Sequence, residues 1–252
     1  MNHPPLLVGR PDEIVAGVIV PFDMALDAEM WRWAPDDVSL LFTRTPFAAT
    51  PVSMERAEVV SDGSAIESCT RELLTAGPAA FAYACTSGSF VRGLEGEKRL
   101  AESMRSAGSG AEAVTTFGAL VSALMRLGVR RVATATPYDA HLAERLTTFL
   151  EEAGIDVVSG SHLDLSQEIK AVPYERTLQL ARDADSDDAE AVVVASSNLA
   201  TYDLIAPLEA ELGKPVISAN QVTMWALMET IGRRAVGPHQ WLISAPRARE
   251  IT

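Results

Sequence analysis

Residues 79–90, AAFAYACTSGSF, and residues 190–203, EAVVVASSNLATYD, follow one pattern. Each is an apolar run of strand length that opens into small hydroxyl-bearing residues and then into chain of helical character. Strands apolar on every position are buried on both faces, as in a parallel sheet covered by crossover helices. The interval from Cys85 to Ser196 is 111 residues. The pair therefore points to two similar α/β lobes whose strand ends face one another, and ligands favour crevices at strand carboxyl ends.

Working outward, the spacing predicts strands at Ile14–Val20, Val38–Thr43, Ala79–Cys85, Arg131–Ala135, Asp156–Ser159, Ala191–Ala195 and Pro215–Ser218. Helices are predicted at Met54–Ala76, Gly96–Ala107, Phe117–Leu127, Ala140–Ala153, Tyr174–Ala184, Leu204–Leu212 and Gln221–Ile231. Gly77, Gly128, Gly154 and Gly213 follow such segments, where a left-handed cap costs glycine least. No Gly-, Pro- or Ser-rich linker divides the chain. The expected division is residues 1–115 as the first lobe and 116–219 as the second, with 220–252 returning to the first.

The composition is that of a globular protein, 48% hydrophobic and 22% charged. Twenty-one basic residues against 34 acidic ones give a net charge of -13. That field repels phosphate backbones and anionic lipid, so neither nucleic acid nor membrane is an expected partner. An acidic substrate would need local donors. The N-terminus lacks the charged and apolar regions of a signal peptide, and no apolar run approaches the roughly 18 residues of a membrane span. Two cysteines suit a reducing compartment, so a cytoplasmic location is expected.

No P-loop, GxGxxG, HExxH or CxxC pattern occurs, and His3, His141, His162 and His239 lack ligand spacing. Neither a metal nor an organic cofactor is expected. The acidic stretch Asp183–Glu190 precedes a buried strand and reads as a solvated loop. Cys69 shares a helical stripe with Ile66 and Leu73 and reads as core. Cys85 admits two readings. It is a small buried hydrophobe, or it is a reactive thiol, because Thr86, Ser87, Gly88 and Ser89 follow it directly. Backbone N–H groups exposed at such a turn would hold a carboxylate and lower the thiol pKa from its usual value of about 8.5. Ser196, Ser197 and Asn198 occupy the equivalent place in the second half, as a polar turn or a second anion loop. Tyr138, after Pro137, either packs at a helix start or gives a phenolic donor to the same crevice.

The segments ACTSGSFVRG (84–93), TTFGALVSALMRLGVRRVATATPYDAHLAERLTTFLEEAG (115–154) and VVVASSNLATYDLIAPLEAELGKPVIS (192–218) resemble the aspartate/glutamate racemase superfamily. The branch they resemble is that of arylmalonate decarboxylase and maleate cis-trans isomerase, from about Ile14 to Gly232. The resemblance implies two pseudo-symmetric flavodoxin-like lobes, an active site in the cleft between them, no cofactor, and homodimers as the common assembly. It places Cys85 at the first-lobe position, cysteine in racemases and isomerases and glycine in the decarboxylase. Thr86, Ser87, Tyr138 and the Ser197 N–H match the donors of a dioxyanion pocket, beside which Asn198 continues the loop.

The second-lobe cysteine of the superfamily falls at Ser196. Racemisation needs a base on each face of a carbon, and a serine hydroxyl is far too weak without an activating partner. Chemistry with one thiol survives. The leading expectation is an arylmalonate-decarboxylase-like lyase in which Cys85 donates the proton, from the face opposite to that used by the decarboxylase. The alternative is a maleate-isomerase-like enzyme with Cys85 as nucleophile. Against it, Met24 and the neighbourhood of Ser166 stand where those isomerases have asparagines. Further alternatives are an Asp/Glu-type racemase and a carboxylate-binding protein without catalysis. The segment PFDMALDAEMWRWAP (21–35) resembles a subgroup associated with ectoine utilisation, which would imply a substrate derived from an amino acid. Its Trp31 and Trp33 either line a pocket or, more commonly for tryptophan, pack between helix and sheet.

Overall fold

The computed structural model describes residues 13–246. His3 and the outermost parts of segments 1–115 and 220–252 lie outside the described residues.

The first half begins with β1 (Ile14–Val20), α1 (Asp27–Trp31), β2 (Val38–Arg44), α2 (Met54–Val60) and α3 (Gly63–Leu73). It continues through β3 (Ala80–Tyr83), α4 (Thr86–Phe90), α5 (Gly93–Ala107) and β4 (Glu112–Thr115). The second half contains α6 (Thr116–Leu127), β5 (Arg131–Thr136), α7 (Ala140–Glu152), β6 (Asp156–His162) and α8 (Tyr174–Ala184). It closes with β7 (Ala191–Val194), α9 (Tyr202–Leu212), β8 (Val216–Ser218), α10 (Ala219–Thr230) and α11 (Trp241–Ser244). All pairings are parallel, in two four-stranded sheets ordered β2-β1-β3-β4 and β6-β5-β7-β8. The two orders are the same order, so the chain is a two-lobed α/β protein with repeated topology. Among the described residues no helix is long and apolar enough to cross a membrane.

The central strands are buried throughout because they are apolar and covered on both faces: AFAY in β3 and AVVV in β7 are fully inside. Helix α10 is buried over Ala219–Met228, with no polar face. It packs on α6, β3, β4 and β8, and the Thr116 and Thr223 hydroxyls meet 2.9 Å apart across that seam.

Several expected boundaries move. The predicted single helix Met54–Ala76 is two helices and a short 3-10 turn, because Asp62 caps α3 by accepting the Ala65 N–H at 3.0 Å. The predicted strand Ala79–Cys85 ends at Tyr83, and Cys85 is instead the residue preceding α4. β4 is exposed at Glu112 and only four residues long, too short for periodicity to reveal it. Helix α5 begins at Gly93, where φ is +69°, three residues before the predicted start.

Candidate active site

Cys85 lies two residues beyond the end of β3, and Ser196 lies two residues beyond the end of β7. The repeated topology thus brings the two side chains to one interlobe cavity. Thr86, Ser87, Tyr138, Ser197 and Asn198 line it as well, whereas Gly88 and Ser89 of the first loop do not. Sequence reasoning missed Arg56 at the start of α2 and left Asp23 without a role. Both line the same cavity and share an ion pair at 2.6 Å. The signal for Arg56 is weak, one of three charges, with Glu55 and Glu58, on a short helix.

The donors are arranged around the sulfur. The Tyr138 hydroxyl faces the hydroxyls of Thr86 and Ser196. Burial pushes the Tyr138 phenol well above its ordinary range, which keeps it a donor at any neutral pH. Thr86 Oγ1 is fully buried and has no hydrogen-bond partner among the described residues. A buried hydroxyl left without a partner costs about 1–3 kcal/mol, which a ligand oxygen in the cavity would recover. The Ser197 N–H likewise makes no bond to the described residues. These groups line the cavity beside the thiol as a set of donors able to hold an anion. Gly88 keeps the sulfur accessible to its neighbours, since a side chain there would overlap the Tyr83 hydroxyl and come 3.1 Å from Cys85 Sγ.

The thiol itself departs from expectation. The exposed N–H groups were expected to lower its pKa, yet burial pushes it up. The Tyr83 hydroxyl, the Gly88 N–H and the Ser87 hydroxyl oppose that shift without reversing it, while Asp23 adds to it. Desolvation wins because Cys85 is only 3% exposed. In this state the group is a thiol, not a thiolate. Cys69 packs with Ile66 and Leu73 in the predicted core position and is raised to about 11, mainly by burial.

Ser196 Oγ accepts the Asn198 N–H at 3.2 Å. The Asn198 amide spans the lobes: Oδ1 accepts the Ala25 N–H at 3.0 Å, and Nδ2 donates to the Asp23 carbonyl at 3.3 Å. Asp23, Arg56, Ile169 and Asn198 also line a larger outer basin, which contains Met24, Ser166, Phe22 and Phe47. Met24 and Ser166 belong only to this basin, away from the sulfur. The Val52 N–H donates to the Ser166 carbonyl at 2.7 Å and closes the lobes on that side.

Other candidates are elsewhere. Trp33 is buried and donates to Gln240 Oε1 at 3.0 Å, while Trp31 is 43% exposed, so neither lines the cavity and only Trp33 packs inside. His162 sits 3.5 Å from Asp164, and His141 is on the outer surface of α7. In the acidic stretch, Asp185 pairs with Lys214 at 2.9 Å and Glu190 accepts the N–H groups of Arg130 and Arg131.

Comparison with known proteins follows this geometry. A family profile described as arylmalonate decarboxylase matches residues 27–240. Arylmalonate decarboxylase of Bordetella bronchiseptica is 30% identical over 225 residues, covering 86% of this chain and 90% of that protein. Maleate isomerase of Nocardia farcinica is 30% identical over 172 residues, covering 66% of this chain and 68% of that protein. Among solved structures, a liganded arylmalonate decarboxylase mutant superposes with a TM-score of 0.84. It shares 28% identity and covers 92% of this chain and all of its own, and in it one glycine is exchanged for cysteine and one cysteine for serine. A cysteine-to-serine mutant of the N. farcinica maleate cis-trans isomerase superposes with a TM-score of 0.82 and 25% identity. It covers 93% of this chain and 99% of its own, and holds a covalently bound succinylcysteine intermediate.

Proposed function

The chain belongs to the arylmalonate decarboxylase family, and on that premise we propose a lyase that removes one carboxyl group from a malonate-type acid, with Cys85 as proton donor. One carboxylate lies against Thr86, Ser87, Tyr138 and the Ser197 N–H. The second leaves as CO2, and the electrons of the broken C–C bond pass into an enediolate on the retained carboxylate. Donors placed where that charge develops stabilise it. The Cys85 S–H then gives its proton to the carbon, and the resulting thiolate recovers a proton from solvent at the mouth. Arg56 is the cation that admits an acid to a cavity of a protein with a net charge of -13.

The observation that carries this reading is a buried Cys85 sharing one cavity with a serine, Ser196, its burial favouring the thiol over the thiolate. A protonated thiol is the correct form for delivering a proton and the wrong form for attacking a double bond. The liganded decarboxylase mutant with one added cysteine and one cysteine-to-serine change shows that this fold accommodates such an exchange of residue types.

Proton NMR in D2O with phenylmalonate, methylmalonate, maleate and phenylacetate tests it. The expected result is loss of CO2 from a malonate, one deuterium at the α carbon of a single enantiomer, and loss of that activity in Cys85→Ala. Undiminished turnover in Cys85→Ala refutes the assignment. A second reading, isomerisation through addition of Cys85 to maleate, draws on the succinylcysteine held by a relative that has one cysteine replaced by serine. Conversion of maleate to fumarate in the same experiment, with a thioether adduct on Cys85 by mass spectrometry, would put it first.

A further inference from the structure

We propose that Glu29, a carboxylate on the first lobe, is a positioning residue for the anion-binding loop of the second lobe and acts through Asn220. The inference rests on the reading that the Ser197 N–H receives a substrate carboxylate.

Glu29 is buried on α1, and each of its oxygens is spent on the opposite lobe. Oε1 accepts the N–H groups of Thr201 at 2.5 Å and Tyr202 at 2.6 Å, at the start of α9. Oε2 accepts Asn220 Nδ2 at 3.0 Å. That same Nδ2 donates to the Ser197 carbonyl at 3.2 Å. Among the described residues Asn220 Oδ1 is buried without a partner, so the amide's orientation is set there by its two acceptors. The peptide after Ser197 is then held at both ends, its carbonyl by Asn220 and its N–H by Ser196 Oγ. With that peptide fixed, Ser197 is anchored from its carbonyl side, and its own N–H, unbonded among the described residues, remains for a ligand. Lysine or arginine is absent from this relay. A carboxylate does the work because it alone presents acceptors to two backbone amides and to Asn220 at once.

The alternative is that Glu29 merely ties the lobes together. Glu209 distinguishes the two. It lies on α9, the helix whose start Glu29 caps, is also buried, and also accepts two backbone N–H groups, from Val216 at 3.1 Å and Trp241 at 3.0 Å, but does not touch the 196–198 loop. Glu29→Gln can keep the Thr201 and Tyr202 bonds on its remaining oxygen. It then turns a donor toward Asn220, which breaks the link to Ser197.

The experiment is calorimetric titration of phenylacetate and of succinate into wild type, Glu29→Gln, Asn220→Ala and Glu209→Gln, with thermal unfolding of each. Phenylacetate has one carboxylate and nothing to lose, so binding is read without turnover. The expected result is at least 10-fold weaker binding of both probes in Glu29→Gln and Asn220→Ala. Glu209→Gln should bind within 2-fold of wild type even where its unfolding temperature falls as far. Should Glu29→Gln fail to fold, Asn220→Ala carries the test. Equal weakening in Glu209→Gln, or wild-type binding in Asn220→Ala, overturns the proposal, as does wild type that binds neither probe at 50 mM. If the probes bind as expected and no malonate is consumed, the lyase reading fails and the positioning role stands.

Discussion

The hydroxyl oxygen of Ser196 accepts the backbone N–H of Asn198 at 3.2 Å. That bond takes one of the two lone pairs of the hydroxyl, whose neighbour across the cavity is the Tyr138 hydroxyl. The acidic group lining the same cavity, Asp23, is engaged by Arg56 at 2.6 Å. On the proposed lyase reading Ser196 serves as a donor and not as a second base, which makes the chemistry of the cleft one-sided.

Ser196→Cys should restore a thiol across the carbon from Cys85. The expected outcome is new α-deuterium exchange and a racemic product where wild type gives one enantiomer, read by NMR in D2O and chiral chromatography. Ser196→Ala should keep turnover within about 10-fold, since it loses one donor among several. Complete loss in Ser196→Ala would make the serine a direct participant.

Arg56 lines the cavity with a guanidinium held by Asp23 and placed 4.5 Å over the Phe22 ring. Arg56→Met should raise KM for an acidic substrate by about 10- to 100-fold with a smaller fall in kcat, the pattern of lost charge-assisted binding. Arg56→Lys should recover part of it, because the charge returns without the planar fork. A fall confined to kcat would place Arg56 in the chemical step instead.

How much of this was legible without coordinates follows from what each residue depends on. The two strand-and-loop segments around Cys85 and Ser196 are local, so their pattern alone located the cavity. Arg56 and Glu29 are defined by partners far along the chain. Asn198 reaches Ala25 across 173 positions and Asn220 reaches Glu29 across 191, and no spacing rule spans such distances. The thiol pKa was misjudged for a related reason. N–H donors are countable from a loop sequence, whereas burial is a property of everything packed around it, and here burial is the larger effect. The short helices α1 and α4 were missed because five residues show no helical period.

Cys85 should alkylate slowly at neutral pH. Its folded pKa lies above the ordinary thiol range, so the reactive thiolate is scarce until the pH rises past that range. The rate with iodoacetamide, followed by mass spectrometry, should climb with pH above 8.5, and phenylacetate should suppress it. Cys69, raised to about 11, should stay unmodified over the same interval. A midpoint below the usual thiol value would contradict the proton-donor assignment and favour the nucleophile.

Glu209 makes stability depend on pH in a direction opposite to that of an ordinary ion-paired acid. Burial raises its folded pKa from 4.5 to about 7, although the Val216 and Trp241 N–H groups pull it down. The folded state thus holds this proton more tightly than the unfolded chain, so the contribution is complete below pH 4.5 and is lost as pH rises toward about 7. Full expression of that difference is worth roughly 3 kcal/mol at one pKa unit per 1.36 kcal/mol, an upper bound for a single site. Other carboxylates shift both ways, Glu29 and Glu97 up and Asp62 and Asp203 down, so the wild-type curve mixes several groups. The difference between wild type and Glu209→Gln isolates one. Urea unfolding of both from pH 4.5 to 8 should show wild type losing stability relative to the variant across that window, whichever of the two is the more stable at the start. Parallel curves would mean that Glu209 titrates alike in the folded and unfolded chain, and that its two backbone N–H donors fully offset its burial.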